Sequence, residues 1–370
     1  MADGSWSEPQ KITNSYINDE AYWVGTAPDG SLCFSWHEIN NESEISFDEF
    51  HISLFKDGQW REESKVYNFK NSEVMERLGI SWFNIAFDTY GEPHFFYYAL
   101  GAYLPSEGKE ETQLKISGLF LDSQQLTQED YINNKQFSVM QGIGDIEDEY
   151  HDKRIDKKVL FYIDSANVYH LIGLDENSVL DDHRPLQYTR CIRSYSRDGG
   201  KTWEGPFTAF DGEYRVNRIS FAEDTKGNIC IMANYPESDE ATLMVSSLKP
   251  DKLDAGATEG YFYEKQINDF DYNEWDEFIN LKFSDIFFDS KDILHFITGM
   301  GRDMWENPFW DMTQIKGNEW AIRKIDKPVG YDDAEILAFS MRRNGDFVLL
   351  ANERGVEEPM LFYAQIPAGG

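Results

Sequence analysis

An all-β fold built from one sheet unit used several times is what this sequence predicts. Three observations carry the prediction. Of 370 residues, 26 are Phe, 20 are Tyr and 10 are Trp, and aromatic side chains suit the pleated, half-buried surface of a strand better than a helix. The apolar runs are short, and each is broken by a polar turn. Those turns recur at a near-constant interval, which is the signature of a repeat architecture.

The runs are "YWVGTAPDGSLCFSWHE" (22–38), "WFNIAFDTYGEPHFFYYA" (82–99), "VLFYIDSANVYHLIGL" (159–174), "RISFAEDTKGNICIMANY" (218–235), "SDIFFDSKDILHFITGM" (284–300) and "EILAFSMRRNGDFVLLANE" (335–353). Each reads as strand, turn, strand, with Gly or Asn placed where positive φ is cheap. With Gly30, Gly91, Asn167, Gly227, Asp292 and Gly345 as markers, the intervals are 61, 76, 60, 65 and 53 residues. A second mark recurs: "ADGSW" (2–6), "KDGQW" (56–60), "GGKTW" (199–203) and "KGNEW" (316–320) each set a Gly shortly before a Trp. The unit therefore has four strands, two about each kind of turn.

Four-stranded units used six times predict a six-bladed β-propeller of antiparallel blades. Six units take up the whole length, so a single domain over residues 1–370 is expected. A pair of β-sandwiches is the alternative, and it does not explain the period. At the ends, "GSWSEPQKIT" (4–13) reads as a fourth strand without its first three, and "PMLFYAQIP" (359–367) as a third strand without its fourth. Their pairing would close the last blade and remove two open sheet edges.

Composition narrows the partners. The net charge is −33 and no Lys/Arg-rich run exists, so a phosphate backbone is repelled and nucleic acid is excluded as a partner. No apolar run is long enough to predict a membrane-spanning helix. "MADGSWSEPQ" does not read as a signal peptide; the protein is expected to be cytoplasmic, or exported with its leader removed. Cys33, Cys191 and Cys230 are too few and too widely spaced for a disulfide framework. "DFDYNEWDEFIN" (269–280) opens like a calcium loop, but Glu274 replaces the Gly and Asn280 the final Glu. No other metal, nucleotide or nucleophile signature occurs, and neither a metal nor a cofactor is expected. Nothing in the pattern specifies an oligomer.

Residues 194–206, "SYSRDGGKTWEGP", hold Ser196, Asp198, Gly200, Thr202 and Trp203 in the order S-x-D-x-G-x-T-W. This resembles the Asp-box, or BNR repeat, of the sialidase-like propellers. The match is complete over eight residues, and Trp6, Trp60 and Trp320 sit in degenerate versions. The resemblance implies a structural role: the turn joins third and fourth strands, on the face opposite the active site.

It follows that ligands would meet the other two kinds of loop, those leading into each first strand and those joining second to third strands. These collect Arg77, Arg154, Arg184, Arg215, Arg218, Arg302 and Arg354 on one expected face. In so acidic a chain they would form a local positive pocket for a carboxylate, which a guanidinium grips with two bonds, unless each pairs with a neighbouring acid. Trp305 and Tyr331, in the same loops, would stack on sugar rings. "YRVN" (214–217) is similar to the F/Y-R-I-P motif of sialidases, with Asn217 for the Pro and a position after the Asp-box.

The resemblance implies a carbohydrate-active enzyme that cleaves an acidic or modified glycan. Hydrolysis needs paired carboxylates, for which Glu213 and Asp332 stand among several acids. A uronate lyase needs a proton-transfer residue beside Arg, and Tyr214 and His183 are available. A non-catalytic glycan-binding or protein-interaction propeller is the remaining alternative; loop residues that differ from repeat to repeat favour one asymmetric site.

Overall fold

The computed structural model describes residues 10–11, 22–40, 47–56, 59–60, 65–69, 75–103, 114–121, 159–181, 184–212, 218–237, 240–248, 265–266, 284–299, 309–316, 319–325, 335–342, 344–352 and 359–365. Every described element is a strand, and the strands form six antiparallel sheets. Sheet 1 holds β2 (Tyr22–Thr26), β3 (Leu32–Asn40), β4 (Phe47–Lys56), β5 (Gln59–Trp60) and β6 (Lys65–Phe69). Sheet 2 holds β7 (Met75–Phe87), β8 (Pro93–Tyr103) and β9 (Leu114–Leu121). Sheet 3 holds β10 (Val159–Ile163), β11 (Tyr169–Asp181), β12 (Arg184–Ser196) and β13 (Glu204–Gly212).

Sheet 4 holds β14 (Arg218–Glu223), β15 (Ile229–Glu237), β16 (Glu240–Leu248) and β17 (Lys265–Gln266). Sheet 5 holds β18 (Ser284–Phe288), β19 (Leu294–Gly299), β20 (Phe309–Lys316) and β21 (Glu319–Ile325). Sheet 6 holds β22 (Glu335–Met341), β23 (Asp346–Asn352) and β24 (Pro359–Gln365). Its fourth member is β1 (Gln10–Lys11), with Gln10 opposite Leu361. Sheet 1 departs from four strands because β5 covers only Phe55 and Lys56 of β4, and β6 covers Asp48–Ile52. The two pieces together occupy the fourth-strand position.

The same hairpin turn joins the first two strands of every sheet. The turn's first residue is Ala27, Asp88, Asp164, Asp224, Asp289 or Arg342, and its carbonyl accepts the N–H of the residue three further on. That residue is left-handed in all six cases. In the four Asp turns the Oδ1 also accepts the N–H groups two and four residues on, as at Asp164 from Ala166 (2.9 Å) and Val168 (2.8 Å). Where Ala27 and Arg342 supply no carboxylate, the third turn residue takes over: Asp29 accepts from Ser31 and Asn344 from Asp346. A short polar side chain that binds its own turn is the local reason these segments reverse.

The second strands do not alternate. Leu32 to Ser35, Tyr169 to Gly173, Ile229 to Met232 and Leu294 to Ile297 are buried without a break. A sheet covered on both faces requires this pattern, and the covers are the neighbouring sheets. Ring pairs mark successive contacts: Trp23–Phe87 at 6.4 Å, Phe96–Phe161 at 5.1 Å, Tyr162–Phe221 at 4.1 Å and Phe287–Phe339 at 6.2 Å. Each such pair adds about 0.5–1.5 kcal/mol beyond the area it buries. Between sheets 4 and 5 the tie is polar, Ser220 to Asp285 and the Ile286 N–H to Ser220. Strand β2 lies against β22, and the Arg342 guanidinium donates to the Gly30 carbonyl. Gly25 is needed beside Trp23, because a Cβ there would fall 2.1 Å from the indole.

Candidate functional site

The sheets have two ends of different character. The hairpin turns lie at one end. In sheet 3 the β11–β12 register runs from Tyr169 opposite Ser196 at that end to Asp181 opposite Arg184 at the other. The turn between β12 and β13 is therefore on the hairpin side. The backbones of Arg77 and Arg218 lie near the far ends of β7 and β14, paired with Ala102 and Asn234. Strand β10 touches both of these strands.

The Arg184 backbone opens β12 at the far end, opposite Asp181, and the other expected site residues fall outside the described residues. Glu213, Tyr214 and Arg215 follow β13, Arg154 precedes β10, and His183 separates β11 from β12. Arg302 and Trp305 lie between β19 and β20, Tyr331 and Asp332 before β22, and Arg354 between β23 and β24. The strand ends that flank these segments are on the side away from the hairpin turns, except that the segment with Arg154 leaves from Leu121, which pairs with Phe96 on the hairpin side, and only its Val159 end is on the far side.

The S-x-D-x-G-x-T-W stretch is a closed hydrogen-bond unit. Ser196 Oγ accepts the Gly200 N–H at 2.9 Å and donates to Asp198 Oδ1 at 2.8 Å. Asp198 accepts the Thr202 N–H at 2.9 Å and the Thr202 hydroxyl at 2.6 Å. Those Thr202 bonds, with Ser196, hold the Asp198 carboxyl down at about 2, since donors to a carboxylate favour its charged form. Trp203 Nε1 donates to the Gly200 carbonyl at 3.0 Å. The indole packs on a core of Ala86, Phe96, Phe161, Ile163, Tyr169 and Leu171, drawn from sheets 2 and 3. Gly200 has φ 85°, and a Cβ there would meet Leu121 at 2.6 Å. Each named residue of the motif serves the turn or the sheet seam.

A second recurrence went unread in the sequence: in three repeats a histidine stands six residues after the turn Asp. Asp88–His94 and Asp289–His295 approach to 3.8 Å, and His170 Nε2–H donates to Asp164 Oδ2 at 2.9 Å. The turn thus uses one carboxylate oxygen for the backbone and aims the other at the second strand. The signal was the spacing D-x5-H, visible at 88/94, 164/170 and 289/295.

His170 and Asp164 are both buried. Burial pushes the His170 imidazole below its ordinary value, and the Arg193 cation adds to this. Burial would raise Asp164, but the His170 bond and the Val168 N–H outweigh it and hold the carboxyl low. The contact is therefore a neutral imidazole on a carboxylate at pH 7. Its Nδ1 has no partner, and an unused lone pair costs less than an unused N–H would. In sheet 5, His295 Nδ1 binds Asp311 at 2.9 Å, and Asp311 takes Arg323 at 2.6 Å. Among the described residues no group of three or more His, Cys, Asp or Glu is arranged to hold a metal.

In class, the molecule is an all-β protein of stacked antiparallel sheets with repeated hairpin turns. No protein-family model matches the chain, and no characterised protein sequence does. Solved structures do. A sialidase of Hadza microbial origin superposes with a TM-score of 0.50 at 10% identity, covering 94% of this chain and 65% of its own. This chain thus spans just under two thirds of that sialidase's length. An α-L-arabinofuranosidase from Fusarium graminearum gives 0.49 at 10% identity, with 98% of each chain covered. An α-L-arabinanase from Penicillium chrysogenum gives 0.46 at 10% identity, with 92% and 91% covered. At such identity the likeness to the sialidase is one of fold, since one fold hosts many activities.

Proposed function

We propose that this protein is a carbohydrate-active enzyme on a six-bladed propeller, cleaving an acidic or modified glycan at the end of the sheets away from the hairpin turns. The observation that carries the reading is the complete Asp-box turn, hydrogen-bonded and fixed on the hairpin side of sheet 3, in a chain whose fold is like that of a sialidase. The turn's resemblance to the sialidase-like turn, which lies opposite the ligand face, supports placing the site at the other end of the sheets. Each sheet packing on the next, β2 on β22 and β1 on β24 support a closed ring of six blades over a single domain.

In this reading Arg77, Arg154, Arg215, Arg218, Arg302 and Arg354 line a central pocket and hold a substrate carboxylate. Trp305 and Tyr331 bear on the sugar rings. For hydrolysis Glu213 and Asp332 supply the acid and base; in the lyase alternative Tyr214 or His183 moves the proton. Hydrolysis would run through one carboxyl kept protonated and one ionised.

The test is a screen of acidic oligosaccharides and aryl glycosides, read both as released reducing ends and as the ultraviolet absorbance of an unsaturated uronate. Arg215→Ala and Arg302→Ala are then made. The expected outcome is turnover by the parent and a loss of at least tenfold in kcat/KM in each variant. Variants that bind and turn over as the parent does would remove the central pocket. Unsaturated product would replace hydrolysis by elimination.

A further inference from the structure

We propose that Asn167 and Asp292 are clasps that lock neighbouring sheets together in pairs, sheet 2 to sheet 3 and sheet 4 to sheet 5, at the hairpin end. Among the described residues they are the non-glycine residues with positive φ, at 61° and 60°; the matching turn positions elsewhere are Gly30, Gly91, Gly227 and Gly345. A side chain in the left-handed region is unfavourable relative to glycine, so its retention calls for a reason.

Their own turns do not supply one. The Asn167 N–H closes its turn on the Asp164 carbonyl at 2.9 Å, and Asp164 caps the remaining N–H groups. The same holds for Asp292, whose N–H binds the Asp289 carbonyl while Asp289 caps Lys291 and Ile293. Both side chains instead reach back to the preceding repeat. Asn167 Oδ1 accepts the Thr89 N–H at 2.9 Å. Asp292 accepts the Thr225 N–H on Oδ1 and the Thr225 hydroxyl on Oδ2, each at 2.7 Å. The Thr225 N–H, with its hydroxyl, holds the Asp292 carboxyl below the ordinary range.

The pairing is written in the turns. "DTYG" (88–91) precedes "DSAN" (164–167), and "DTKG" (224–227) precedes "DSKD" (289–292). A Thr in the second position of one turn meets an Asn or Asp in the fourth position of the next. The seam between sheets 3 and 4 is built differently: Ser165 and Tyr162 both bind Glu223, which lies just before the next turn. The seam between sheets 6 and 1 uses Arg342.

Substituting glycine tests the clasp because the two accounts give opposite signs. If position four needs only backbone freedom, Asn167→Gly and Asp292→Gly leave the melting temperature unchanged or raise it. The clasp predicts a fall of about 1 °C for Asn167→Gly and about 2–4 °C for Asp292→Gly, the latter losing two charge-assisted bonds. Loss of the Lys226 contact adds little, since Lys226 is largely exposed.

A double-variant cycle removes the donor. Thr89→Pro and Thr225→Pro delete the N–H at a position where sheet 1 carries Pro28 in the same turn. In those backgrounds the glycine variants should be neutral or stabilising. A fall of equal size with and without the donor would assign the loss to the residue's own turn and overturn the clasp, as would no fall in the parent. Should the Pro variants not fold, amide exchange decides. The Thr225 N–H should exchange about tenfold faster in Asp292→Gly, and unchanged exchange overturns the proposal.

Discussion

Sheets 3 and 5 share one plan and solve it with opposite charges. Each has a turn Asp, a histidine six residues on, and an Ile two residues after that. In sheet 3 the residue opposite Ile172 is Arg193, and in sheet 5 the residue opposite Ile297 is Asp311. Both are buried, at 2% and 1% exposure. The cation beside His170 favours neutral imidazole; the anion beside His295 receives its Nδ1–H and is closed by Arg323. The backbone frame of the repeat is thus common property, while the polar interior is settled sheet by sheet. A buried charge is costly without a partner; in sheet 5 Asp311 has His295 and Arg323, and in sheet 3 the Arg193 guanidinium lies 5.9 Å from the centre of the Tyr195 ring.

The largest effect expected from breaking this comparison is at Asp311. Asp311→Ala strands His295 and Arg323 against a buried gap. The expected loss is about 3 kcal/mol, the low end for a broken buried pair because Arg323 reaches solvent, read in a denaturant titration. Next is Gly200→Ala, which forces a Cβ into a left-handed residue and against Leu121. About 2 kcal/mol is expected. Ser196→Ala, which removes the acceptor of the Gly200 N–H, should cost about 1 kcal/mol.

The finest probe is pH. His170 has a folded value below its unfolded 6.5, so the unfolded chain binds its proton first. Its contribution to stability is complete above 6.5 and is lost as pH falls through the folded value. Asp164, also lowered, loses its contribution only below its unfolded 3.8. Melting temperature should therefore begin to fall just below pH 6.5, and His170→Phe should flatten that first step. An unchanged profile would remove His170 from the account.

Much of the hairpin end was legible in the sequence. The six turns were found at the residues where the left-handed positions lie, because a turn needs Gly, Asn or Asp for local reasons. The bonds of the S-x-D-x-G-x-T-W turn follow from side chains at most four residues apart. The D-x5-H spacing was equally present and passed unread, since no local rule joins a turn residue to the following strand. Arg193 and Asp311 were illegible: each is one charged residue in an acidic chain, and only burial makes its sign matter. The far end of the sheets resists for the same reason. Arg77, Arg215 and Arg302 come from different repeats, and no spacing in one repeat says whether they meet.

By itself, then, the sequence determined the all-β class, the period, and the turn at each hairpin, since these depend on φ, hydrogen bonding and apolar runs within a few residues of chain. Tertiary structure alone decided that Asp311 closes on His295 and Arg323, and that Asn167 and Asp292 bind the turn of the preceding sheet. Those outcomes depend on residues that approach across strands and sheets, as Thr225 and Asp292 do over 67 positions.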